Sequence, residues 1–141
     1  MAIFADTSAL FALLNQNDRR HLEAAEAARQ IAKDREPVWT IDAVAVELWR
    51  LLRGQVGCRQ ADELLRGLIS HGLEIEASAR DDYTRAWQLA DEWSDQDFAL
   101  TDRLCFAGIE RARSYHAWSY DSDFAVIRLG PSRNRPLALL F

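Results

Sequence analysis

Short apolar runs alternate with longer, helix-patterned stretches along most of this chain, and that alternation limits what it can fold into more than any other feature. Residues 2–5, Ala-Ile-Phe-Ala, are apolar without a break, which predicts a strand buried on both faces and ending at Asp6. Ser8 is placed to cap a helix running to about residue 15, and residues 21–33 form an alanine-rich helix with Leu22, Ala25, Ala28 and Ala32 at helical spacing. A second apolar strand covers 38–41 after Pro37, and the helix that starts at Asp42 or a neighbour is expected to stop at Gly54. A further helix spans 58–70, a third strand 73–75, and Ser78 caps a long helix toward Trp93. Thr101 and Asp102 open a helix to about residue 112; a fourth strand covers 116–120, a short turn or helix runs through 126, and a last strand covers 137–141. Strands and helices in this order predict an α/β sandwich around a mainly parallel sheet, with right-handed crossovers putting helices on both faces.

At 141 residues the chain has the size of one compact domain, spanning 1–141, that can bury a core without disulfides or structural metal. Nothing approaches the roughly 20 apolar residues of a membrane span, and the start of the chain lacks the features of a secretory signal, so a cytoplasmic protein with no membrane partner is expected. Cys58 and Cys105 fall in different helices without a paired spacing and read as two small buried hydrophobes. His21, His71 and His116 are scattered, which suits structural roles.

Acids recur where a parallel sheet binds its ligands, beyond the carboxyl ends of the strands. Asp6 follows strand one, Glu47 lies in the helix after strand two, Asp102 opens the helix before strand four, and Asp121 follows strand four. Carboxylates gathered in one place repel unless a cation compensates, and an all-oxygen set without Cys or His suits Mg²⁺ or Mn²⁺ rather than zinc. Such a site can activate water for attack on a phosphodiester. Capping or turn roles account for Asp6, Asp102 and Asp121 taken singly, whereas Glu47, flanked by Val44-Ala-Val46 and Leu48-Trp49, would be costly to bury unpaired. Thr7, Ser8 and Ser119 are candidates to orient ligands or waters, and Asp97 and Asp123 to act as auxiliary ligands. A net charge of −5 is unsuited to RNA, but setting the four acids aside leaves −1, and all basic residues except Lys33 are arginine, the better bidentate partner for phosphate.

Four stretches together resemble the PIN-domain family, and within it the toxin ribonucleases of VapBC toxin-antitoxin pairs. They are Phe4-Ala-Asp6-Thr-Ser-Ala-Leu10, Val44-Ala-Val-Glu47-Leu-Trp-Arg-Leu-Leu52, Asp97-Phe-Ala-Leu-Thr-Asp102-Arg-Leu-Cys-Phe-Ala107 and Ser119-Tyr-Asp121-Ser-Asp123-Phe124. The resemblance implies a three-layer α/β/α fold, Mg²⁺- or Mn²⁺-dependent endoribonuclease activity, a homodimer and a small cognate antitoxin. It also implies that Asp6, Glu47, Asp102 and Asp121 are the catalytic, metal-holding quartet. In the family the last motif usually carries threonine where Ser119 stands, so the hydroxyl is retained. Trp49, Trp87 and Trp93 are possible interface anchors, with core packing the simpler expectation.

Two phosphoryl-transfer folds fit poorly. A haloacid-dehalogenase-like phosphatase needs a second acid at the position of Ser8, and a receiver domain needs a late lysine, whereas the only lysine is Lys33. The remaining alternative is a non-catalytic PIN-fold module that works by binding.

Overall fold

With no polar side chain to turn toward water, Ile3, Phe4 and Ala5 belong in the middle of a sheet, and the computed structural model, which describes residues 1–141, puts them there. The elements run β1 (Ile3–Ala5), α1 (Thr7–Leu14), α2 (His21–Lys33), β2 (Val38–Ile41), α3 (Asp42–Val56), α4 (Cys58–Ser70) and β3 (Glu74–Glu76). They continue with α5 (Arg80–Glu92), α6 (Leu100–Ala112), β4 (His116–Trp118), α7 (Asp123–Val126), β5 (Arg128–Leu129), β6 (Arg135–Pro136) and β7 (Ala138–Leu139). Five strands form one sheet in the order β3-β2-β1-β4-β7, every pair parallel. The result is a parallel sheet flanked by helices, an α/β sandwich. Phe4 meets Trp39 edge-on at 4.9 Å and stacks 6.4 Å from Phe124, so aromatic packing links β1 to β2 and to α7.

Several boundaries differ from the sequence reading, each for a local reason. Helix α1 starts at Thr7 with Asp6 as its N-cap residue, so Ser8 sits inside the first turn and its hydroxyl donates to Asp6 instead of capping. Helix α3 runs through Gly54 and ends before Gly57, whose φ of +85° is the conformation that stops it. The Ser78 hydroxyl donates to Asp42; α5 begins after Ala79, whose N–H is taken by the Asp82 carboxylate at 2.9 Å. β4 is shorter than expected, β7 is a two-residue edge strand, and β5 and β6 form an antiparallel ribbon that the sequence did not suggest.

Cys105 is buried as expected, whereas Cys58 is exposed at the start of α4 and not the buried hydrophobe the sequence suggested. Among the tryptophans, Trp49 and Trp93 pack partly against the core, while Trp87 is 52% exposed on α5. No helix is long and apolar enough to cross a membrane.

Candidate active site

From β1 the sheet extends through β2 and β3 on one side and through β4 and β7 on the other. A parallel sheet that reverses its winding in this way leaves a crevice beyond the strand ends at the point of reversal. Asp6 leaves β1 there, its backbone N–H donating to the Trp118 carbonyl at the end of β4 (3.0 Å). Asp121 follows β4, Glu47 comes from the second turn of α3, and Asp102 from the first turn of α6. All four line one cleft of about 320 Å³, together with Thr7, Ser8, Asp18, Arg19, Arg20 and Tyr120.

Asp6 is the buried member, 3% exposed. Its Oδ2 accepts the hydroxyls of Ser8 (2.8 Å) and Ser119 (2.9 Å). Those hydroxyls are themselves held: Ser8 Oγ accepts the Tyr120 N–H at 2.9 Å and Ser119 Oγ accepts the Asp121 N–H at 3.0 Å. Burial raises the pKa of Asp6; the two hydroxyls and the Thr7 N–H oppose that rise without cancelling it, and Asp121 adds to it.

Asp102, Asp121 and Asp123 form the tightest group, with one oxygen of each lying within 4.8 Å of the others. Asp121 Oδ1 accepts the Asp123 N–H at 2.9 Å. Burial, reinforced by the charges of Asp6, Asp121, Asp123 and Glu47, pushes Asp102 up to about 8. Asp123 is raised too, by burial and then by Asp121, with Asp97 adding a little. Thus the cleft draws the four sequence-derived acids together, and Asp123, read from sequence as an auxiliary, stands behind its lining close to Asp102 and Asp121. Asp97 is exposed and does not line the cleft, and Glu47 is partly exposed rather than enclosed by its apolar neighbours.

The donor set fits a hard divalent cation. Metal–oxygen bonds of about 2.0–2.6 Å let one ion bridge oxygens roughly 3–5 Å apart, a span that the Asp102, Asp121 and Asp123 oxygens satisfy. An ion there would also offset the mutual repulsion that Asp102 reports. Arg19, Arg20 and Tyr120 on the cleft wall went unnoticed in the sequence. The available signal was a pair of arginines in the turn after the helix that Asp6 opens.

The PIN-domain profile matches residues 3–129, nearly the whole chain. The chain belongs to the PIN-domain family. Among solved structures, this PIN domain is similar to the Mycobacterium tuberculosis toxin VapC20, described as cleaving the sarcin-ricin loop, with a TM-score of 0.76 and 27% identity over 88% of this chain and 93% of that one. VapBC2 from Rickettsia felis, solved with a DNA fragment from its promoter, gives a TM-score of 0.68 at 14% identity over 86% of this chain and 89% of that chain. A toxin-antitoxin complex from Klebsiella pneumoniae gives 0.63 at 18% identity over 99% and 96%. The last two establish likeness of fold. No curated protein sequence matches significantly.

Proposed function

We propose that this PIN domain, acting as one domain over residues 1–141, is a metal-dependent endoribonuclease and the toxin of a toxin-antitoxin pair. The observation that carries the reading is the convergence of Asp6, Glu47, Asp102 and Asp121, from four separated segments, on one cleft at the sheet's point of reversal. Asp102, Asp121 and Asp123, with Asp6 and Glu47 across the cleft, would hold Mg²⁺ or Mn²⁺. When bound, the ion lowers the pKa of water and offsets charge that builds on phosphate.

In this reaction a water oxygen bonds to phosphorus, the bond from phosphorus to one sugar oxygen breaks, and that oxygen leaves with a proton. The protein's part is positioning. Ser8 and Ser119 fix the Asp6 carboxylate by two hydrogen bonds. Ser119 also holds the backbone at Asp121, so one hydroxyl sets two acids relative to each other.

Two surfaces support protein partners. An apolar cleft of about 610 Å³ between α1, α2 and α4, walled by Leu10, Leu13, Ile31, Val38, Leu68 and Trp118, has room for an antitoxin segment. Val46, Tyr83, Trp87 and Leu100 are exposed apolar residues that suit a homodimer contact. A cytoplasmic setting belongs with this reading, since both RNA and antitoxin would be met there.

Purified protein should cleave RNA with Mn²⁺ or Mg²⁺ and not in EDTA, and Asp6→Asn and Asp102→Asn should each lower the rate by about two orders of magnitude with the circular-dichroism spectrum kept. Cleavage by both variants at the wild-type rate, or undiminished in EDTA, would favour the binding-module alternative.

A further inference from the structure

Helix α1 begins on the wall of the acidic cleft, and its first turn contains a polar group that nothing in the protein uses. Thr7 is 4% exposed and lines the cleft, yet its Oγ1 has no hydrogen-bond partner. A buried hydroxyl left unpaired costs about 1–3 kcal/mol, a penalty that a ligand oxygen would remove. Asp6, the N-cap residue, makes no side-chain capping bond to the second or third amide of α1, and the first turn of that helix, through Thr7 and Ser8, lines the cleft.

The turn between α1 and α2 adds two guanidiniums to that wall, those of Arg19 and Arg20. Arg20 is held in place from several directions. Its guanidinium stands 4.9 Å from the centre of the Tyr120 ring and bonds Glu23 at 3.1 Å, and its backbone N–H donates to Asp18 at 2.8 Å. Tyr120 is itself anchored, through its N–H on Ser8 and its phenol oxygen, which accepts the Trp118 indole N–H at 3.0 Å. Arg19 lies exposed beside it.

A buried hydroxyl, a helix N-terminus and two arginines on one wall suit an anion with several acceptor oxygens. The acids in the same cleft repel a free anion, so the occupant has to be tethered to something the acids and their cation already hold. A phosphodiester strand meets that condition, because the phosphate next to the one being cut arrives with it. We propose that Thr7, Arg19 and Arg20 form a phosphate subsite for single-stranded RNA, gripping a phosphodiester adjacent to the scissile one. The proposal rests on the nuclease reading above and assigns these three residues to positioning the strand.

The test is fluorescence anisotropy of a labelled single-stranded RNA oligonucleotide in Ca²⁺, with RNA integrity checked on gels, across a range of salt concentrations. For the Arg19→Ala/Arg20→Ala double variant, the slope of log Kd against log salt should fall by about 1.4, or 0.7 for each lost phosphate neutralisation on a single strand. Arg19→Lys/Arg20→Lys should restore most of that slope. Thr7→Val, which keeps the shape of the side chain, should raise Kd about fivefold, with the slope unchanged because no charge is lost, and Thr7→Ser should recover the wild-type value. Unchanged Kd and slope in the alanine and valine variants, while wild type binds and cleaves RNA, would overturn the subsite and leave the nuclease reading standing. If those variants instead lose only binding of a protein partner, the subsite is equally overturned. Wild-type protein that neither binds nor cleaves RNA would remove both readings together.

Discussion

Burial and then the charges of four other carboxylates, Asp6, Asp121, Asp123 and Glu47, push Asp102 upward, to about 8. The folded protein therefore holds this proton over a range in which the unfolded chain, with an ordinary value near 3.8, has released it. Between those two values the unfolded state binds fewer protons, so metal-free stability declines as pH rises from about 4 toward 8. Asp102→Asn removes the titrating group. It should raise the melting temperature of metal-free protein at pH 8 by about 3–6 °C, with a smaller gain at pH 5, as read by scanning calorimetry. The same variant should show the lowered cleavage rate given above, a stability gain coupled to functional loss. At this scale the acids were legible in the sequence by type and position, whereas the nearness of Asp123 to Asp102 and Asp121 depends on a turn that no local pattern shows. It could not reveal that Ser8 and Ser119, 111 positions apart, share one carboxylate oxygen.

Helix α6 has to approach β2 closely to bring Asp102 to the cleft, and Gly108 makes that approach possible. A Cβ at this position would stand 3.3 Å from Ile41 Cγ2. Gly108→Val should lower stability by about 2–3 kcal/mol, measured by urea denaturation, and Gly108→Ala by much less. On its other side α6 is joined to α5 and to the β5–β6 ribbon through charge. Arg85 bonds Glu110 at 2.6 Å and Glu92 at 3.0 Å, and Glu110 also accepts the Gly130 N–H at 3.0 Å. Burial alone would raise the Glu110 carboxyl, but the Arg85 guanidinium and the Gly130 N–H outweigh it and hold it below its ordinary value of 4.5. The stability this gives is present above that value and is lost as pH falls through the lower, folded one. Melting temperatures of wild type and Glu110→Gln should therefore differ at pH 7 and converge toward pH 3. Apolar periodicity made the long helices legible, whereas the β5–β6 ribbon escaped notice because two-residue strands carry no pattern to read.

For the whole molecule, strand-helix alternation conveyed the sheet's parallel character, while its strand order follows from packing between distant segments that no local pattern encodes. A cation that binds only the folded chain should raise the melting temperature as its concentration grows, by about 2.7 kcal/mol of added stability at one hundred times its Kd. Glu47→Gln should reduce that rise with Mn²⁺, and no shift at millimolar metal would remove Glu47 and its companions from the ligand set. The outermost strand on one side of the sheet, β3, reads Glu-Ile-Glu, with Glu74 exposed and Glu76 turned to Arg111 of α6. Two molecules meeting along that border would each bring the charge of Glu74 to the seam, so lateral growth into fibrils is discouraged there while the opposite flank and the helices stay available for assembly.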